Sequence, residues 1–327
     1  MDETDLKALL EGNKVQNSVL LMFANLGALQ LLENYLCSLS EQGINKYLIY
    51  AVDVESHMEF QSRGWHSYFN PRLTGPLNIS KTTVAKQLKN HRPEFHNMMT
   101  AKLQIVQDVL RLGVDVLMTD VDIVFHKNVI PEVLHKCKDM CFMHDGPSKP
   151  GLRANLGLWF LRSGAATLEF MANTIAAKVQ HVRMSDQAVV NALMKQGGIA
   201  PWLNPKDSPS GSKDSPSGSG GFSLDSGRTL STTQLDDAGS RGEERGKVVE
   251  GNEGGSDRSK GGGKMPMEGG AWLKMKVKIL PEKVYVNGHV LMHGTSLPPE
   301  MGMAHINWTR TKGQKKKYLK QWNMWKC

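Results

Sequence analysis

The sequence predicts an α/β fold, built on one mostly parallel sheet with helices on both faces. Short apolar runs, each the length of one strand, alternate with segments whose apolar residues recur at helical spacing. The runs are apolar at successive positions, which is typical of strands buried on both faces. With 327 residues, 40% of them hydrophobic, the chain can also enclose a large core. Folds of this class bind ligands beyond the carboxyl ends of their strands.

Each element is predicted from its own pattern. Glycine is placed to end two of the helices, at Gly43 and Gly113. Asn287-Gly288 stands between two short apolar pairs and predicts a two-residue hairpin turn. The predicted strands are 19–24, 47–52, 114–119, 140–143 and 158–161, and the predicted helices are 27–42, 95–112, 165–179 and 185–195.

A Gly/Ser-rich segment over 204–270 interrupts this pattern with an imperfect KDSPSGS repeat. Such a composition buries too little apolar surface to offset the entropy of ordering, so we predict a disordered insertion. Residues 1–203 and 271–327 are then two parts of one domain, the first with the acidic motif described below and the second with a basic motif.

The charge of the chain is concentrated in its last segment. Residues 271–327 hold 11 basic and 2 acidic side chains, against a net charge of +8 for the whole chain. A basic cluster of this kind indicates an anionic partner, although a solvated lysine face is the commoner case.

Several classes of protein are disfavoured by composition. Four cysteines exclude a small disulfide-stapled scaffold, and Cys137 and Cys141 lack a second ligand pair at zinc spacing. No apolar run reaches the roughly 18 residues of a membrane helix, and no secretion signal opens the chain. We therefore expect no membrane span in this chain, and a cytoplasmic location if the chain is complete.

Two carboxylates follow the predicted strand 114–119 directly, at Asp120 and Asp122. In an extended segment residues i and i+2 point to the same side, so both side chains are predicted to converge at the strand tip. A cation relieves their repulsion, and hard oxygen ligands suit Mg²⁺ or Mn²⁺. Such an ion recruits a diphosphate. A solvated pair of aspartates is the alternative, but the apolar residues on both sides favour the metal site.

The segment around these carboxylates resembles the DxD region of the nucleotide-diphospho-sugar transferases of glycosyltransferase family 77. That group includes plant and algal xylosyl-, arabinosyl- and galactosyltransferases. Other segments resemble further motifs of the family, in the same order along the chain. The resembling segments read NSVLLMFANLGALQLLENYLCSL, YLIYAVD, VDVLMTDVDIVFHKNV, ANLGLWFLRSG, SDQAVVNALM and AHINWTRTKGQKKKYLKQWNMW.

The resemblance implies a GT-A fold, a UDP-sugar donor, a glycan or glycoprotein acceptor, and Mn²⁺ (or Mg²⁺) as cofactor. It also implies retention of anomeric configuration, a Golgi location and no nucleic-acid partner. By the same resemblance, the metal ligands are Asp120, Asp122 and His305. The donor-binding residues are Asn25, Asp53, Asp120, Asn155, Gly157, Lys315 and Lys317, and the catalytic residues near the transferred sugar are Asp186 and Gln187.

The chain departs from the family pattern near His305. The motif reads HINW where HNNW or HNNY is usual, and Thr311 stands where a glycine is usual. Asp186 also has an alternative role as the cap of the helix that begins near Ser185. The lysine that binds the diphosphate is left open among Lys312, Lys315, Lys316 and Lys317.

Two other functions compete with sugar transfer. The run Asp120–Val124 also fits the nucleophile loop of haloacid-dehalogenase-type phosphatases, with Asp120 as the nucleophile and Mg²⁺ as cofactor. The only adjacent Asp pair downstream lies within 204–270, which disfavours this alternative. The lysine-rich end of the chain also suits a nucleic-acid binder, but nothing else in 1–203 supports one.

Overall fold

The computed structural model describes residues 3–74, 93–146, 153–199, 270–307, 309 and 311–327. The predicted insertion at 204–270 lies outside the described residues, apart from Gly270. Within the described residues no helix is both long and apolar enough to cross a bilayer.

The described residues form strands and helices at the following positions. The strands are β1 (Ser18–Ala24), β2 (Leu48–Ala51), β3 (Ser67–Tyr68), β4 (Asp115–Thr119), β5 (Ile123–Phe125), β6 (Met140–His144), β7 (Ala154–Leu161), β8 (Val277–Ile279), β9 (Tyr285–Asn287) and β10 (Met303–His305). The α-helices are α1 (Glu3–Asn13), α2 (Leu29–Glu41), α3 (Val54–Ser62), α4 (Pro71–Thr74), α5 (Pro93–Arg111), α6 (Ile130–Lys136), α7 (Ala165–Gln180), α8 (Asp186–Gln196), α9 (Gly288–His293) and α10 (Lys312–Gln321).

The strands form a seven-stranded sheet in the order β3-β2-β1-β4-β7-β6-β8 and a three-stranded sheet in the order β5-β10-β9. In the larger sheet β3, β2, β1 and β4 are parallel, and β8 is parallel to β6. Only β7, among these described strands, runs antiparallel to its neighbours. The predicted α/β class with a mostly parallel sheet is therefore confirmed, and each predicted strand and helix is found with somewhat shifted ends.

The apolar patterns explain where these elements lie. Every residue of β4 and β7 is buried, so both faces of the sheet are covered, as continuous apolar runs require. Helix α2 buries its leucine-bearing side in the same core cluster as β1 and β5. Gly43 and Gly113 have φ angles of 68° and 80°, which suits glycine and ends the helices at the predicted places.

The chain beyond the insertion contributes to both sheets. Strand β8 pairs with β6 in the larger sheet. Strand β10 pairs with β5, and β5 is the strand that directly follows the two acidic residues. The second pairing sets His305 opposite Ile123. Positions that are nearly two hundred residues apart in sequence are thereby neighbours.

One predicted turn is wrong. Asn287 and Gly288 do not form a hairpin. Strand β9 pairs in parallel with the distant β10, and not with the residues directly after Gly288. Instead the Asn287 side chain accepts hydrogen bonds from the backbone N–H groups of His289 and Val290, at 2.9 and 3.3 Å, and caps α9. The same dipeptide thus starts a helix.

The four cysteines are paired. Cys137 and Cys141 form a disulfide between the end of α6 and β6, which accounts for this pair without a metal. Cys37 on α2 forms a second disulfide with Cys327.

Candidate active site

Two carboxylates and an imidazole converge at the carboxyl end of β4. His305 Nε2 lies 3.2 Å from Asp122 Oδ1 and 3.7 Å from Asp120 Oδ2. One ligand atom from each of the three residues lies within 4.8 Å of the others. The side chains of His305 and Asp122 are 4% and 8% exposed, whereas that of Asp120 is 39% exposed. The group is therefore open to solvent on the Asp120 side only.

The backbone around this group explains the convergence. The Asp120 N–H donates to Gly157 O at 2.7 Å, and the Ile306 N–H donates to Asp122 O at 2.9 Å. Residues Val121 and Asp122 form a turn, so the predicted extended conformation is wrong. The two carboxylates meet because that turn is held between β7 and β10, and not because of strand alternation.

Gly157 leaves space for the imidazole. A Cβ atom at this position would lie 2.0 Å from His305 Cε1 and 2.3 Å from Nδ1, far inside contact distance. His305 Nδ1 is buried and has no hydrogen-bond partner among the described residues. Packing against the Gly157 backbone therefore orients the ring. The structure thus shows that Gly157 accommodates a metal-ligand candidate, and its role in donor binding stays a prediction.

A buried lysine that the sequence analysis missed completes the group. Lys102, on α5, is 5% exposed and its Nζ lies 2.7 Å from Asp120 Oδ1 and 3.8 Å from Asp186 Oδ2. Burial alone would lower the pKa of Lys102, but the attraction of Asp120 and Asp186 outweighs it and raises that pKa above its usual value. Lys102 therefore remains charged and links the DxD pair to α8. Only its position on the buried side of an amphipathic helix could have indicated this role.

Of the four candidate lysines, Lys315 contacts the acidic group. Its Nζ donates to Asp122 Oδ2. Burial favours the neutral acid at Asp122, but the charges of Lys315 and His305 dominate and hold the pKa of Asp122 far below its usual range. Of the other three lysines, Lys312 donates to Gly27 O and Lys316 donates to Gln30 and lies over the Trp325 ring, whereas Lys317 is exposed.

The two predicted catalytic residues begin α8. Ser185 caps the helix by accepting from the Ala188 N–H, so the capping role considered for Asp186 belongs to Ser185. Asp186 is buried and lies close to Lys102. The Gln187 side chain accepts from the Leu156 N–H at 3.2 Å. These contacts set both residues beside β7.

Asp145 is a second residue that the sequence analysis missed. It follows β6, and its two carboxylate oxygens accept from Asn155 Nδ2 at 3.0 Å and from Gln187 Nε2 at 2.8 Å. Asn155 in turn accepts from the Gly157 N–H at 2.8 Å. A chain of hydrogen bonds thus connects α8 to the glycine that contacts His305.

The remaining predicted donor-binding residues follow β1 and β2. Asn25 directly follows β1, and Asp53 caps α3 by accepting a hydrogen bond from the Ser56 N–H at 2.7 Å. The other oxygen of Asp53, Oδ2, is buried and accepts no hydrogen bond from the described residues. Because β1, β2 and β4 are parallel neighbours, both residues lie at the same sheet edge as Asp120.

Residues 42–319 match the nucleotide-diphospho-sugar transferase family. The chain belongs to this family. Its described residues have the α/β fold with a mostly parallel sheet that the sequence predicts.

Two curated relatives of this transferase are known from Arabidopsis thaliana. The β-arabinofuranosyltransferase RAY1 is 25% identical over 202 residues, which cover 59% of this chain and 36% of RAY1. The arabinosyltransferase RRA2 is 31% identical over 141 residues, covering 43% of this chain and 30% of RRA2. The transferase therefore spans about a third of the length of these relatives.

Solved structures resemble the transferase only loosely. An active-site mutant of LgtC superposes with a TM-score of 0.43 at 10% identity, covering 92% of this chain and 94% of LgtC. Mouse xyloside xylosyltransferase 1 gives a TM-score of 0.39 at 13% identity, covering 55% of this chain and 82% of that protein.

The side chains of the acidic group fit a divalent cation. Two carboxylates and one imidazole form a donor set suited to Mn²⁺ or Mg²⁺, and their ligand atoms are already close together. The three carboxylates of Asp120, Asp122 and Asp186 face two ammonium groups, from Lys102 and Lys315, which leaves one net negative charge. A divalent cation would make the group positive and thus able to hold a diphosphate.

Proposed function

We propose that this transferase moves a sugar from a UDP-sugar donor to a glycan or glycoprotein acceptor, with Mn²⁺ (or Mg²⁺) held by Asp120, Asp122 and His305. The convergence of these three side chains at the carboxyl end of β4 is the observation that supports the proposal most strongly. A phosphatase would need only the first two residues, so the imidazole and the family assignment both favour sugar transfer.

When bound, the ion would hold phosphate oxygens of the donor and offset the negative charge of the departing UDP. Lys315 is the proposed partner of the diphosphate, because its ammonium is already at the acidic group while Lys312 and Lys316 contact other parts of the chain. Lys102 would hold the Asp120 carboxylate in position through their ion pair.

Asp186 and Gln187 are proposed to contact the transferred sugar and the acceptor. Their backbone is fixed at the start of α8, and Gln187 is held on both sides by Leu156 and Asp145. The acceptor hydroxyl would attack from the face that UDP leaves, which retains the anomeric configuration. Asn25 and Asp53 would contact the nucleotide, and Asp53 Oδ2, which accepts no hydrogen bond from the described residues, supports that role.

The sugar is proposed to be arabinose, xylose or galactose. The two curated relatives are named as arabinosyltransferases, which favours a pentose. Golgi location and a role in the cell wall are further parts of the proposal. Two disulfides support an oxidising compartment such as the Golgi lumen.

The proposal is tested by incubating the protein with UDP-arabinose, UDP-xylose or UDP-galactose, with Mn²⁺ or with EDTA, and measuring released UDP. We expect release with at least one donor, and only when the divalent ion is present. Asp122→Asn and His305→Ala should each remove this activity, since each removes a metal ligand. The matched control is Glu300→Gln, which alters an exposed carboxylate paired only loosely with Lys283 at 3.9 Å.

Product configuration is read by NMR of the transferred sugar. Retention is expected, and inversion would refute the proposed direction of attack. Unchanged, Mn²⁺-dependent UDP release by Asp122→Asn and His305→Ala would refute the metal assignment. A trapped phosphoaspartate at Asp120 would instead favour the phosphatase.

A further inference from the structure

Helix α2 supports the loop that holds the two acidic residues. The Tyr35 hydroxyl is hydrogen-bonded to Thr119 Oγ1 at 2.7 Å, one residue before Asp120, and this contact is buried. Ser38 Oγ accepts from the Phe125 N–H at 3.1 Å, on the other side of the turn. The position of the DxD turn is therefore tied to α2 at both of its ends.

The same helix also binds the segment 322–327, which follows α10. Asn34 Nδ2 donates to Met324 O at 3.2 Å, and Asn34 Oδ1 accepts from the Lys326 N–H. The Lys326 ammonium lies 2.9 Å from Glu41 Oε2. Cys37, one turn after Asn34 on α2, is covalently joined to Cys327.

Helix α10 lies between this tether and the acidic group. It carries Lys315, whose ammonium reaches Asp122. Its Leu319 is buried in the core, and Tyr318 and Trp322 pack against the same core. The helix is thus held by packing on its inner side, by Lys315 at one end and by the tether to α2 at the other.

We propose that the Cys37–Cys327 disulfide is a positioning device for Lys315, with α2 as the common support of the acidic turn and the lysine. The covalent link restricts how far α10 can shift along α2, and a shift of that kind would move Lys315 away from Asp122. This inference rests on the proposed function, in which Lys315 binds the diphosphate. Cys37 and Cys327 act through Lys315, so they are positioning residues.

The second disulfide provides an internal control. Cys137 and Cys141 are four residues apart and fully buried, and they link the end of α6 to β6 rather than α2 to the segment after α10. Cys327 is exposed, and the Cys37–Cys327 pair lines a surface groove of about 570 Å³ with Tyr47 and Trp65. A mild reductant should therefore reach the Cys37–Cys327 pair first.

The test measures UDP binding by isothermal titration calorimetry in the presence of Mn²⁺. We expect Cys37→Ser with Cys327→Ser to weaken UDP binding by about 3- to 10-fold, a modest loss because the packing of α10 remains. Cys137→Ser with Cys141→Ser should leave UDP binding unchanged. Hydrogen exchange of the metal-free protein should show faster exchange at 312–327 in the first variant only.

A double-mutant cycle separates positioning from general stability. Lys315→Ala should weaken UDP binding by itself, and Lys320→Ala, an exposed lysine on the same helix, should not. If the disulfide acts through Lys315, removing it from the Lys315→Ala protein has no further effect on UDP binding. An additive loss would show that the disulfide acts on the whole fold, and would overturn the inference.

Reduction of the wild-type protein with dithiothreitol covers the case in which the serine variant fails to fold. Mass spectrometry after alkylation identifies the protein with only the Cys37–Cys327 bond open, and its UDP affinity should fall by the same factor. Unchanged affinity would contradict the inference and leave the proposed function intact. Unchanged affinity of Lys315→Ala would instead refute the diphosphate role on which both proposals depend.

Discussion

Gly157→Ala should remove metal binding without altering any candidate ligand. The new Cβ would lie 2.0 Å from His305 Cε1, about 1.4 Å short of the 3.4 Å at which ordinary contact begins. Gly157 is in the centre of β7 and its carbonyl binds the Asp120 N–H, so the backbone has little freedom to yield. The imidazole must therefore move by about 1 Å or more, whereas metal–ligand distances tolerate only about 0.2 Å.

We expect the affinity for Mn²⁺, measured by calorimetry in the absence of donor, to fall by about 100-fold or more. Gly164→Ala is the matched control, because a Cβ at that position meets no atom within 4 Å. Its Mn²⁺ affinity and its unfolding temperature should equal those of the wild type. Wild-type Mn²⁺ affinity in folded Gly157→Ala would refute the assignment of His305 as a ligand.

Three further outcomes follow from the charged groups. Lys102→Met should lower the free energy of unfolding in urea by about 2 kcal/mol. This loss is smaller than for a fully buried ion pair, because Asp120 is 39% exposed. The same substitution should also abolish sugar transfer. Lys315→Ala should raise the KM for the donor at least about 10-fold while Lys317→Ala leaves it near the wild-type value, and equal effects of the two would contradict the assignment. Burial raises the pKa of Glu282, but its contacts with His144 lower that pKa by more, so the net shift is downward. The carboxylate therefore stabilises the folded protein at neutral pH, and this stabilisation is lost as the pH falls through the lowered pKa. Glu282→Gln should therefore cost about 1 kcal/mol at pH 7, with the gap to the wild type narrowing towards pH 4 in urea titrations, and a gap that widens in acid would be contrary to this reasoning.

Much of the fold was predictable because its signals are local. Continuous apolar runs identify β1 and β4, and Gly43 and Gly113 end the helices where their positive φ angles require glycine. The Asn287-Gly288 prediction failed because an asparagine that suits a turn also suits a helix cap. The choice between them was made by the parallel pairing of β9 with β10, which no local pattern contains.

The site was predictable only in part, for a similar reason. The three candidate metal ligands could be predicted because they belong to motifs that resemble those of a family: Asp120, Asp122 and His305. The turn that brings the two carboxylates together was not predicted. Lys102 and Asp145 have no motif of their own, since each is defined by partners that come together only in the folded chain. The reason for Gly157 was likewise hidden, because the atom that needs the space belongs to a residue of β10.

Anomalous diffraction from crystals grown with Mn²⁺ and UDP tests the central claim most directly. We expect one strong manganese peak, within about 2.3 Å of Asp122 and of His305 Nε2, with Asp120 beside it. A manganese peak remote from these side chains, or bound UDP with no metal at the carboxyl end of β4, would contradict it.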